Sequence, residues 1–202
     1  AKAAGHLATV LATLPDHVQA LERLTLIHAV TKNWTGAADS QRRLLELAKT
    51  PDDRARHLVA LAALLDEGFA DGAQAAAHYR QALELKPNDA AILDRLSTLY
   101  ERLGNQRELA EMLEQQIARG GEPRAVAALK LRVAALYAGP LQASEKAIAT
   151  WRSVVSQDPT STAALEALAA AYAKDPASAA LAIDTQRALL KLEPARVESW
   201  RA

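Results

Sequence analysis

Five histidines, His6, His17, His28, His57 and His78, are the side chains here best suited to bind a metal or move a proton near neutral pH. No two of them stand three or four residues apart, the spacing that would bring two imidazoles onto one helix face as ligands. The chain has no cysteine, which excludes disulfides, thiolate metal sites and a cysteine nucleophile. It holds neither the Gly-x4-Gly-Lys run that wraps phosphates nor the Gly-x-Ser-x-Gly turn that exposes a nucleophilic serine. Gly120-Gly121 precedes Pro123 and reads as a helix stop. The chain therefore reads as a non-enzyme, with no catalytic residue, cofactor or metal site expected. One arrangement stands out: Glu22, Asp94 and Glu166 recur at intervals of 72, each directly after a leucine. Whether such carboxylates could cooperate depends on the elements that carry them.

The prolines define those elements. Pro15, Pro51, Pro87, Pro123 and Pro159 are each 36 residues apart, Pro194 follows 35 later, and Pro140 and Pro176 are themselves 36 apart. Proline inside a helix loses a hydrogen bond and clashes with the preceding turn, so its recurrence marks recurring helix boundaries. Between boundaries the apolar spacing is helical: Ile92, Leu93, Leu96, Leu99, Tyr100 and Leu103 recur at three and four, then Gly104-Asn105 interrupts, then Leu109, Met112, Leu113 and Ile117 resume. Each period is a helix, a turn and an antiparallel helix, and no run alternates as a strand would. The fold class is all-α, with about eleven antiparallel helices. Sequence likeness is stronger at 72 than at 36, as in Leu61-Ala62-Ala63-Leu64 against Val133-Ala134-Ala135-Leu136. One type of hairpin has a short polar turn; the other is expected to have a longer one, at 67–72 and 138–142.

These residues resemble the tetratricopeptide-repeat (TPR) family. Leu93, Leu96-Ser97 and Tyr100 match its first-helix pattern, as do Leu165, Leu168-Ala169 and Tyr172. Ala75-x3-Tyr79 with Ala82 and Pro87, and Ala147-x3-Trp151 with Val154 and Pro159, match its second helix. The period of 36 exceeds the family's 34, and the family's first-helix glycine is replaced by Thr25, Ala62, Ser97, Ala134 and Ala169. Leu109 stands where the family has its second-helix alanine. The resemblance implies a right-handed superhelix over residues 1–202, with hairpins at 16–50, 52–86, 88–120, 124–158 and 160–193. Residues 1–15 read as the trailing helix of a preceding repeat and 195–202, with Trp200, as the start of another. The expectation is an excerpt of a longer repeat protein, with Trp200 partly exposed or covered by another chain. It also implies core roles for Tyr79, Tyr100, Tyr137, Trp151 and Tyr172, interface packing for His28, and packing over a turn for Trp34.

In that family the position of Glu22, Asp94 and Glu166 faces a concave groove. Two hairpins separate successive members, so at helix spacings of about 8–10 Å they lie about 20 Å or more apart. Paired-carboxylate catalysis needs about 5 to 9.5 Å. The three acids suit either an extended ligand with basic groups or a solvated face. They would repel the terminal carboxylate that chaperone-binding members clamp. Apolar groove candidates are Leu26, Val30, Val59, Ala63, Leu131, Ala135 and Ala170, so the partner-binding set is Glu22, Leu26, Val59, Asp94, Leu131 and Glu166.

Composition narrows the partner. Twenty-four basic residues balance 24 acidic ones, so the excess positive charge that binds nucleic acid is missing. No apolar stretch is long enough for direct membrane insertion, and residues 1–14 lack the apolar run of a signal peptide. The implied function is a protein or peptide scaffold, with self-association through uncapped ends as one route. The alternative is a regulatory or substrate-recruiting segment of a larger multidomain enzyme or envelope assembly machine. Arginine outnumbers lysine two to one, which suggests a GC-rich bacterial source; a soluble protein is expected, with cytoplasm and periplasm both left open.

Overall fold

The computed structural model describes residues 2–192. Its described part holds eleven α-helices: α1 (Lys2–Thr13), α2 (Val18–Val30), α3 (Trp34–Leu47), α4 (Pro51–Phe69), α5 (Gly72–Leu85), α6 (Ala90–Leu103), α7 (Gln106–Arg119), α8 (Pro123–Ala138), α9 (Ser144–Gln157), α10 (Thr162–Tyr172) and α11 (Ala179–Leu192). No strand occurs among the described residues. Pro51 and Pro123 open α4 and α8, where the missing N–H has no helical partner to lose. Pro15, Pro87 and Pro159 fall in the gaps before α2, α6 and α10. Pro194 and Trp200 lie outside the described residues.

Side-chain caps fix several helix starts. Asn33 accepts from the Gly36 N–H, Asp71 from Gln74, Asp89 from Ala91 and Ile92, and Glu122 from Ala125. Thr50 Oγ1 accepts from the Asp53 N–H and donates to the Asp53 carboxylate. Each such cap is worth about 1 kcal/mol. Gly104, at φ 72°, closes α6 in the left-handed conformation that glycine adopts without a Cβ clash.

The chain forms two compact units, Ala1–Gly104 and Asn105–Ala202. In the first, helices α1 to α6 pack each against the next; in the second, α7 to α11 do the same. Alanines at the helix contacts, including Ala37, Ala38, Ala62, Ala75 and Ala82, are fully buried and let the backbones approach closely. Leucines such as Leu44, Leu61, Leu96, Leu109 and Leu113 fill the remaining space. Tyr79, Tyr100, Tyr137, Trp151 and Tyr172 are all buried.

One expected turn is different. Residues 67–69 are helical, so α4 runs through Phe69 and only Ala70 and Asp71 remain as a turn. Gly68 reads as a breaker in the sequence, yet it lies inside α4 and makes room for Trp34. A Cβ built there would sit 2.5 Å from the indole Cδ2. The Trp34 ring thus reaches past its own turn to the next hairpin. The other long turn is present, spanning Gly139 to Ala143. Between α10 and α11 a 3-10 turn, Pro176–Ser178, was not foreseen; Asp175 caps it through the Ala177 N–H.

Candidate functional site

On α2, Val18, Glu22, Leu26 and Val30 recur every four residues and form one stripe. Leu26 is 66% and Val30 84% exposed, although both are large and apolar. Glu22 does not stand alone in this stripe. Its carboxylate lies 3.8 Å from Arg56 on α4, and Arg56 also holds Asp53 at 3.0 Å. The acidic contact expected from sequence is therefore already faced by a cation of the next hairpin. Sequence reasoning missed Arg56 because the residue 72 positions later is Ala128 and no repeat marks it.

Between α4 and α6 lies a groove of about 490 Å³. Ala55, Val59 and Ile92 supply its apolar lining, with Arg56, Lys86 and Arg95 opposing Asp52, Asp53 and Asp89. These charges are largely matched within the protein. Lys86 lies 2.9 Å from Asp52, and Asp89 is committed to its helix cap. Burial raises the Tyr79 phenol above its ordinary range, and a hydrogen bond with Arg95 partly opposes the shift. Asp94 is exposed on α6. At the far end of the same helices, Arg102 of α6 pairs with Asp66 of α4. A ligand here meets balanced charge, so its gain must come mainly from apolar area.

In the second unit, Leu131 is half-buried on α8 and Glu166 is exposed on α10. Beside Leu131, Lys130 donates to Ser153 Oγ at 2.7 Å and to Gln157 Oε1 at 3.1 Å. The Tyr137 hydroxyl donates to Glu114, and Lys146 lies 5.2 Å from the centre of the Tyr137 ring. Burial and the Glu114 carboxylate push the Tyr137 phenol up to about 12. Glu114, Lys130, Thr150 and Ser153 line a cavity of about 370 Å³ with Ile117 and Val133. A sequence signal for this cluster existed: Lys130 stands 72 residues after the buried Leu58, a polar residue in an apolar slot.

His28 is half-buried and its Nδ1 lies 2.9 Å from the Asn33 amide. Among the described residues no group of three or more His, Asp or Glu is placed to hold a metal ion. No described helix is long and apolar enough to cross a membrane.

No family model matches the sequence, and no curated protein matches it significantly. Solved structures do. MamA aligns at 14% identity over 90% of this chain and 94% of its own, with a TM-score of 0.51. The C-terminal part of a TPR repeat-containing protein from Cytophaga hutchinsonii aligns at 14% identity over 94% of this chain and 72% of its own, with a TM-score of 0.54. This chain has the TPR fold. YrrB, a TPR protein with an unusual peptide-binding site, is similar at 12% identity over 93% of this chain and 92% of its own, with a TM-score of 0.51. Within the TPR framework, Glu22, Val59, Asp94, Leu131 and Glu166 each stand three residues before the position that replaces the family glycine. One repeat position thus alternates between carboxylate and apolar side chain.

Proposed function

We infer that this TPR chain is a non-enzymatic interaction scaffold that takes a peptide or an amphipathic helix of another protein against the α2, α4 and α6 face of its first unit. The observation that carries this reading is the exposure of Leu26 and Val30, set four residues apart on α2, the helix whose Glu22 reaches Arg56 of the groove lined by Val59. Burying such side chains gains about 1.5–3 kcal/mol each, and a four-residue spacing suits the anchors of an apolar helix face. Glu22, Arg56 and Asp94 then act on register and orientation, because rim charges govern specificity more than affinity. The peptide-binding site of YrrB supports the reading by fold analogy. In the second unit Leu131 and Glu166 occupy the equivalent repeat positions and are proposed as further contacts.

The test is a photo-crosslinking residue placed at Leu26 and, separately, at Arg80, which is exposed on the second helix α5. In the source cell, position 26 should trap a defined partner that position 80 does not, and Val30→Asp should abolish the adduct. Equal trapping from both positions, or none from position 26, overturns the proposal.

A further inference from the structure

Gln41 of α3 and His57 of α4 are both buried, and they meet across the seam between the first two hairpins. Gln41 Nε2 lies 2.9 Å from His57 Nδ1 and 3.1 Å from the His57 carbonyl oxygen. The carbonyl can only accept, so it sets the orientation of the amide: the opposite orientation would place Oε1 against another oxygen. The NH2 group therefore points at His57 and also donates to Nδ1. That bond requires a bare Nδ1, which fixes the neutral imidazole with its proton on Nε2. Protonation would set N–H against N–H inside the seam.

The second unit shows that the fold does not need this pair. The residues 72 positions later are Leu113, fully buried on α7, and Leu129, half-buried on α8. Leucines thus stand at the equivalent positions of α7 and α8, where a hydrogen-bonded polar pair fills the α3–α4 seam. A buried polar pair in a slot that leucines fit makes the contact conditional on protonation state, which leucines are not.

We propose that the Gln41–His57 pair is a proton-operated lock on the α3–α4 seam, closed when His57 is neutral and released when it is protonated. Burial holds the His57 imidazole below the usual histidine range; Arg56 adds to this, and Glu22 and Asp53 oppose it. These are the charged groups facing it from α2 and α4, and Lys49 of the α3–α4 turn lines the same depression. A folded-state value below the unfolded one near 6.5 means the stabilisation is complete above about pH 6.5 and is lost as pH falls through the folded value. Its bearing on partner binding rests on the reading above, since Glu22 and Arg56 lie on opposite sides of the seam. The lock itself does not.

The experiment uses the full chain and no partner, so it fails independently of the binding proposal. Long-range nitrogen NMR correlations should show His57 protonated at Nε2 alone at pH 7.5; an Nδ1–H imidazole there overturns the lock. Urea unfolding is then compared at pH 7.5 and 5.0 for the wild type, the double variant Gln41→Leu/His57→Leu and the single variant His57→Asn. Asparagine offers an amide oxygen near the position of Nδ1 and does not titrate. His6, His17, His28 and His78 remain in all three proteins, so their contribution cancels. On acidification the folding constant of the first unit should fall roughly fivefold to a hundredfold further in the wild type than in either variant. An equal fall in the wild type and the variants overturns the proposal.

Discussion

Gly68→Ala is a substitution for which local and tertiary effects oppose each other. Gly68 lies in the last turn of α4, and its φ is outside the left-handed range, so alanine fits the backbone. By propensity alone the change should stabilise the helix by up to about 1 kcal/mol. The new Cβ, however, would sit 2.5, 2.6 and 2.8 Å from three atoms of the Trp34 indole. Carbon atoms pack comfortably at about 3.5–4.0 Å, so the rigid ring must move by about 1 Å. Overpacking of this kind costs about 1–3 kcal/mol. The net expectation is a loss of about 1–2 kcal/mol, a fall of roughly five- to thirtyfold in the ratio of folded to unfolded protein. Urea unfolding followed by far-ultraviolet circular dichroism measures it. In a Trp34→Ala background the obstacle is gone, and Gly68→Ala should then become neutral or stabilising, a reversal that a double-mutant cycle isolates. A Gly68→Ala protein as stable as the wild type, or the same loss in both backgrounds, would refute the packing argument.

Three further outcomes follow from the geometry. Tyr137→Phe removes the hydroxyl that donates to Glu114. Because the phenol is pushed up to about 12 in the fold from about 10 unfolded, its stabilisation is present below about pH 10 and lost towards pH 12. The variant should lose less stability than the wild type over that range, and absorbance at 295 nm should show one late-ionising tyrosine fewer in the variant, with Tyr79 raised in both proteins. Leu26→Asp, at an exposed site, should change stability by less than about 0.5 kcal/mol yet abolish capture of a partner at the α2 stripe; thermal unfolding and binding measured together check both halves. Glu22→Lys sets two cations beside each other, but Glu22 and Arg56 are 39% and 59% exposed, so solvent screens the repulsion and the loss should stay within about 1 kcal/mol and shrink in high salt.

Most of the helix layout was legible in the sequence because proline and the three-and-four apolar spacing act locally. Pro51 and Pro123 open helices where a missing N–H is harmless, and Ile92, Leu96, Leu99 and Tyr100 are buried as their spacing requires. The end of α4 was not legible. Gly68 is a breaker by propensity, and only the indole of a residue 34 positions earlier explains why a helix tolerates it. The candidate site divides in the same way. Leu26 and Val59 could be placed by repeat register, whereas Arg56 beside Glu22 and the Gln41–His57 seam depend on which helices meet. Lys130 shows that a finer comparison at 72 would have found part of the rest, since a lysine in a leucine slot signals a polar partner nearby.

The alternation of Glu22, Val59, Asp94, Leu131 and Glu166 fixes how this chain can be edited. At this one position, removing or adding 72 residues returns a carboxylate to a carboxylate slot and an apolar residue to an apolar one. Removing a single hairpin of 36 would set two carboxylate repeats or two apolar repeats side by side. The smallest interchangeable module of this protein is therefore a pair of hairpins, and lengthening or shortening it without rewriting its surface requires steps of two.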